Sequence, residues 1–322
     1  MNKNKFQIIF MGTPSFAVKS LKVLHENNFN IACVITAPDK PAGRGKKIQI
    51  SAVKKYALEN NLRLLQPTNL KNDLFISELR EINADLQIVV AFRMLPEIIW
   101  AMPKYGTINL HASLLPQYRG AAPINHAIIN GEQETGITTF FIEKEIDTGN
   151  IIFQEKVEIL PDETAGELHD KLMKLGGKLI LKTVDTIINP GVKPIPQEKI
   201  STEEILKPAP KIFKPDCEIN WKQDTQTIYN FIRGLCPYPA AWTKFTDNRG
   251  KLMTAKIYNT EMIFEKHSLK TTTVISDNKT YIKITASDGF LNIKELQLQG
   301  KKCMNVKDLL NGFDISCFEI VD

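Results

Sequence analysis

Apolar positions in the first half of the chain fall into two kinds of run. Phe6–Met11, Ile31–Thr36 and Leu86–Phe92 are short and apolar almost without interruption, as strands buried on both faces require. Phe16–Glu26 and Leu74–Ile82 between them repeat their apolar positions at helical spacing. Strand and helix in alternation predict an α/β unit, a Rossmann-like, mostly parallel sheet with helices on both faces and right-handed crossovers. Such a sheet binds ligands beyond the carboxyl ends of its strands. Ile108–His111 reads as a further strand, leaving through Ala112-Ser113-Leu114-Leu115-Pro116. Thr138–Ile142 and Ile151–Ile159 read as strands on either side of the turn Asp147-Thr148-Gly149-Asn150, and a helix from about Thr164 to Ile188 closes the unit.

The pattern then changes. Between Pro190 and Pro215 there are six prolines and few large apolar residues, the composition of an extended, semi-rigid connection. A helical stretch at Asp224–Leu235 follows, and then short alternating runs such as Lys251–Tyr258, Tyr281–Thr285 and Leu291–Leu298. Short strands punctuated by turn residues predict a small antiparallel, OB-like β-barrel. The expected division is a first domain over 1–189, a linker over 190–210 and a second domain over 211–322.

Composition agrees with two ordinary globular domains. The chain has 322 residues, 43% hydrophobic and 24% charged, which excludes wholesale disorder and a minimal disulfide scaffold. No apolar run approaches the ~20 residues that would cross a bilayer, and the short apolar stretch after Met1 lacks the features of a signal peptide, so a cytoplasmic location is expected. The five cysteines are scattered without a CxxC, giving no ground for a metal site or disulfides. A net charge of +5 permits an anionic partner. With no heptad pattern, a monomer is expected.

Asn109 and His111 flank Leu110 in the predicted strand, and period-2 geometry puts both side chains on one face. An amide donor beside an imidazole suits chemistry that builds negative charge on a carbonyl oxygen, although such residues at strand ends also satisfy loop backbone. Asp147 lies in a turn where Asp is common for conformational reasons; its carboxylate is also placed to orient His111 or accept a proton. Together they offer a donor, a proton carrier and an acceptor without a nucleophile, a set that fits direct acyl transfer between two bound substrates.

The stretch Asn109–Gly120, NLHASLLPQYRG, continued by AAPINHAIINGEQETG and DTG, resembles the folate-dependent formyltransferase family. MGTPSFA at the first turn, PDKPAGRGKK at Pro38–Lys47 and IRGLCPYPAAW at Ile232–Trp242 resemble its tRNA-directed members, and the likeness spans essentially the whole chain. It implies 10-formyltetrahydrofolate as formyl donor and methionyl initiator tRNA as acceptor, with no metal. Carried over, Asn109 donates to the formyl oxygen, His111 stabilises and shuttles charge, Asp147 aids proton removal, and Ser113, Leu114, Leu115 and Pro116 line the folate pocket. Members acting on glycinamide ribonucleotide lack a C-terminal barrel and carry Pro where Ala112 stands. Amino-sugar members usually have another residue at Thr148. One departure concerns Phe92-Arg93-Met94-Leu95-Pro96, a residue shorter than the usual pattern and without its glycine, in a loop that borders the pterin pocket in the family.

Other motifs carry less. Gly12-Thr13-Pro14 is a strand-to-helix turn without GxGxxG, so no dinucleotide is expected. Gly43-Arg44-Gly45-Lys46-Lys47 lacks the GxxxxGK[ST] pattern, and Arg44, Lys46 and Lys47 on flexible glycines suit an RNA backbone or single-stranded end. Trp221 and Trp242 read as core.

Overall fold

The structure, a computed structural model, describes residues 3–42, 47–189, 193–200, 205–246, 250–315 and 318–321. It divides into two compact units: one of residues 1–120, 135–158 and 169–208, the other of 121–134, 159–168 and 209–322.

In chain order the first unit contains β1 (Gln7–Gly12), α1 (Ser15–Glu26), β2 (Asn30–Ile35), β3 (Lys40–Ala42), β4 (Lys47–Gln49), α2 (Ala52–Glu59), β5 (Leu64–Leu65), α3 (Asp73–Ile82), β6 (Leu86–Val90), α4 (Glu97–Trp100) and β7 (Thr107–His111). After α5 (Pro123–Ile129), which belongs to the second unit, come β8 (Glu134–Phe141), β9 (Ile151–Glu158) and α6 (Ala165–Ile188). The main sheet has the order β5-β2-β1-β6-β7-β8-β9. The pairs β5/β2, β2/β1, β1/β6 and β6/β7 are parallel, and β8 runs antiparallel to β7.

Alternate residues of this sheet enter two different cores, and that alternation positions the site. Ile9, Met11, Cys33, Ile35 and Val89 pack with Phe75 and Leu79 of α3 and Ile99 of α4 on one face. On the other, Leu110 meets Gly176 of α6, where an added Cβ would come 2.8 Å from the Leu110 side chain, and the neighbouring Gly177 lies against Lys19 and Val23 of α1. Helices thus cover both faces, as the continuous apolar strands required. α6 starts with a reciprocal capping box: the Thr164 amide donates to the Glu167 carboxylate, and the Glu167 amide donates to Thr164 Oγ1.

The second unit contains α7 (Thr225–Leu235), β10 (Ala241–Thr246), β11 (Leu252–Ile263), β12 (Val274–Ser276), β13 (Ile282–Thr285), β14 (Phe290–Leu298), β15 (Met304–Asn305), α8 (Val306–Leu310) and β16 (Glu319–Val321). Its strands form one antiparallel sheet, barrel-like and nearly closed, ordered β12-β13-β14-β11-β10-β16 with β15 on β14. Asp224 caps α7, whose apolar face enters the core of this unit through Ile228 and Ile232, with Trp221 and Trp242 buried beside them.

Residues 121–134 and 159–168 cluster with the second unit. Residues 193–200 and 205–208 of the proline-rich stretch belong to the first unit: Ile195 and Ile151 exchange both backbone hydrogen bonds, and the Tyr118 amide donates to the Lys207 carbonyl. The prolines keep this segment extended, and an extended segment can pair with a strand's free groups. The short hairpin of β3 and β4, α2 and α5 also lacked a clear apolar pattern.

Candidate functional site

β7 supplies two of the expected residues. Asn109 pairs in register with Val89, and His111 is the last residue of the strand. Both point away from Leu110, hence toward the face that carries α3 and α4. Asn109 is half-buried and its amide makes no side-chain hydrogen bond among the described residues. An uncommitted amide on a strand packed from both sides is an available donor and acceptor.

Asp147 reaches this pair by an indirect path. Because β8 runs against β7, its last residue, Phe141, stands opposite Ile108, near where β7 begins. The connection from 142 to 150 therefore folds back along the sheet to bring the carboxylate to His111. Gly149 makes the fold-back possible, since a Cβ there would lie 1.7 Å from the Phe141 carbonyl oxygen. Asp147 itself adopts φ +56°, a left-handed conformation that Asp tolerates better than most residues. Its Oδ2 accepts from the Gly120 amide at 3.0 Å and stands 3.7 Å from His111 Nδ1.

The hydrogen bonds of His111 fix its tautomer. Nε2 lies 2.8 Å from the Tyr118 carbonyl oxygen, which can only accept, so Nε2 carries the hydrogen and the neutral ring presents its Nδ1 lone pair to Asp147. This narrows the expected role. The Nε2 hydrogen is committed to Tyr118, so Nδ1 is the ring nitrogen left free. At 3.7 Å the Nδ1–carboxylate gap exceeds a direct hydrogen bond; a proton arriving at Nδ1 would be held by the facing charge.

The four residues expected at the folate pocket are mostly turned inward. Ser113 is fully buried and its hydroxyl donates to the Gln117 carbonyl at 2.6 Å. Leu115 is buried too: its amide donates to Thr138 Oγ1, and its carbonyl accepts from Gln154. Pro116 is buried, and Leu114 alone is half-exposed. Of these four side chains, that of Leu114 has the most open surface. In the departing loop after β6, Ala91 has φ +47° and Arg93 donates to the carbonyls of Pro67 and Thr68. Burial of the Arg93 guanidinium pulls its pKa below the ordinary value.

Of the basic loop, Arg44 and Lys46 lie outside the described residues, and Lys47 begins β4. The stem is firmly rooted. Asp39 accepts from Gln66 at 2.9 Å and pairs with Lys54 at 2.5 Å, and these two partners hold its carboxyl below the usual range. At the other foot, Ser51 caps α2 and bonds Thr36.

Sequence reasoning missed Tyr118, Arg119, Gly120 and Gln197. Gln197 is buried, donates to the carbonyls of Asp147 and Gly149 at 2.8 and 2.9 Å, and accepts from both Nε and Nη2 of Arg119. Nothing in a proline-rich stretch singles out one glutamine as part of a site 50 residues away.

Comparison with known proteins gives the family. Residues 4–184 match the family model described as formyl transferase, and residues 211–314 match formyl transferase, C-terminal domain. The methionyl-tRNA formyltransferase of Bacteroides thetaiotaomicron is 56% identical over 98% of this chain and 98% of its own. That of Flavobacterium johnsoniae is 53% identical over 97% and 98%. Among solved structures, WlaRD, a sugar 3N-formyl transferase crystallised in the presence of dTDP and 5-N-formyl-THF, is 26% identical with a TM-score of 0.63, over 92% of this chain and 99% of its own. The chain belongs to the formyl transferase family, among its methionyl-tRNA formyltransferases.

Proposed function

We propose that this protein transfers the formyl group of 10-formyltetrahydrofolate to the amino group of methionyl initiator tRNA. The observation that carries the site assignment is the uncommitted Asn109 amide two residues before a histidine whose free nitrogen faces a carboxylate. The donor is a co-substrate, and these residues suit its formyl group: a carbonyl that gains negative charge needs a donor, and its attacking amine must lose a proton.

The amine nitrogen bonds to the formyl carbon, and the carbonyl electron pair moves onto oxygen, where Asn109 donates a hydrogen bond. Asp147 and His111 Nδ1 take up the proton that the amine gives up. The electron pair returns from oxygen, the bond from carbon to the folate nitrogen breaks, and that nitrogen leaves with a proton delivered from the same pair. Atoms and charge balance without a covalent enzyme intermediate.

The acceptor is supported by full-length similarity to enzymes of that name. Arg44, Lys46 and Lys47, on a stem rooted by Asp39 and Ser51, are assigned to the RNA backbone, with the barrel as the second RNA-binding part. Among the described residues no helix is long and apolar enough to cross a membrane.

The test combines methionyl initiator tRNA, 10-formyltetrahydrofolate and enzyme, and follows the mass of the aminoacyl group. Formylation by the wild type and its loss in His111→Ala are expected. Wild-type turnover in that variant would remove the imidazole from the mechanism, and no formylation by the wild type would remove the function.

A further inference from the structure

The side-chain amide of Gln197 is saturated. Its NH2 group donates to two carbonyls of the catalytic turn, Asp147 and Gly149, and its oxygen accepts twice from Arg119. Carbonyls only accept and a guanidinium only donates, so the amide has one possible orientation. Arg119 in turn sits between Tyr118, whose carbonyl holds His111, and Gly120, whose amide holds the Asp147 carboxylate. The same segment fixes that loop again farther on: the Lys207 amide donates to Gln117 Oε1, and the Lys207 carbonyl accepts from the Tyr118 amide. A turn held at φ +56° and lacking a regular ladder needs an external tie to stay in place.

We propose that Gln197 is a positioning residue for the Asp147 carboxylate, tying the 147–149 turn to Arg119 so that the acid stays at His111. It acts through the turn and touches no substrate. The proposal rests on the catalytic reading of Asp147, so its test separates the two. Because it fixes geometry for the chemical step, its loss lowers kcat without weakening either substrate.

Formyl transfer is measured under single-turnover conditions with enzyme in excess for the wild type, Gln197→Ala, Asp147→Asn and the double variant, with steady-state KM for both substrates where turnover allows. Gln197→Ala is expected to lower the rate at least tenfold, with both KM values within twofold. In the Asp147→Asn background the same change is expected to lower it less than twofold, because the turn then carries no carboxylate to place. Gln197→Glu keeps the size and the bonds from Arg119 but loses both donations, and is expected to match Gln197→Ala. An unimpaired Gln197→Ala, or a tenfold drop repeated on top of Asp147→Asn, overturns the proposal while leaving the reading of Asp147 intact. An Asp147→Asn enzyme of normal rate overturns both. If Gln197→Ala does not fold, Arg119→Lys, which loosens only the far end of the tie, is expected to slow the rate three- to tenfold at unchanged KM; a normal rate there would overturn the proposal.

Discussion

His111 Nδ1 faces Asp147 Oδ2 across 3.7 Å, with both side chains largely withdrawn from water. Since the other ring nitrogen is bonded to Tyr118, the imidazole lone pair and the carboxylate converge on one small volume. A proton delivered between two acceptors pointed at each other is held by both. Asp147→Asn keeps an oxygen for the Gly120 amide and so preserves the turn, but removes the charge. The expected result is a fall in kcat of ~10²–10⁴, with the melting temperature within a few degrees of the wild type. Steady-state kinetics beside a thermal melt would check it; a loss of activity that tracks a loss of folding would contradict it.

Asn109, proposed above as the donor to the formyl oxygen, should fail differently. Its amide bonds to no other side chain or backbone group among the described residues, so its removal should cost the fold little. Loss of one oxyanion donor typically slows the chemical step ~10²–10³, and Asn109→Ala is expected in that range with little change in either KM. A KM effect without a kcat effect would mean that the residue binds ground-state substrate only.

The fold-back that delivers Asp147 depends on Gly149. With a Cβ placed 1.7 Å from the Phe141 carbonyl oxygen, even Gly149→Ala must push the turn off the strand. Overpacking of this kind typically costs ~1–3 kcal/mol. The expected outcome is a lower melting temperature together with a loss of formyl transfer comparable to that of Asp147→Asn. A stable variant with normal kcat would show that the turn can shift without moving the acid.

Sheet, helices and barrel were legible because burial imposes periodicity: Leu86–Val90 is apolar but for Gln87 because both of its faces are covered, and Ile228 and Ile232 repeat at four because one face of α7 is. Asn109 and His111 were legible as a same-face pair from the strand period alone. The path of Asp147 was not. Sequence suggested a turn on the carboxyl edge, whereas the antiparallel β8 starts it at the opposite end, and only tertiary contacts with Phe141, Gly120 and Gln197 return it. That Ser113 and Pro116 are buried was not legible either, because their burial comes from the loop that follows the strand and not from a period along it. Gln197 left no trace, because hydrogen bonds between distant polar residues carry no period.

Stability of the second unit should depend on acid through Asp224. Its carboxylate accepts from the Thr227 hydroxyl and amide at the start of α7, and these bonds pull its pKa below the ordinary value. A carboxyl depressed in the folded state stabilises fully above its unfolded pKa of ~3.9, and the contribution fades as pH falls through the lower folded value. Asp224→Ala should therefore cost ~1 kcal/mol at pH 7, the same at pH 5, and less as pH approaches 3. Urea unfolding across that range, followed by tryptophan fluorescence, reads the gap; a constant difference down to pH 3 would mean that the helix lost something other than a charged cap.

Salt dependence separates the basic loop from the chemistry. Each phosphate neutralised by a Lys or Arg contributes ~0.7–0.9 to the slope of log K against log salt. If Arg44 and Lys46 each contact a phosphate, the variant carrying Arg44→Ala and Lys46→Ala should bind tRNA more weakly at low salt, with a slope shallower by about 1.5. The stem need not change, because its roots, Asp39 with Lys54 and Ser51 with Thr36, lie outside the replaced residues. Binding of the folate donor and single-turnover kcat at saturating tRNA should stay near wild type, since neither residue belongs to the Asn109, His111 and Asp147 set. An unchanged slope would show that the loop is solvated in the complex and would leave RNA recognition to other basic residues, whereas a lower kcat at saturation would show that it acts on the chemical step.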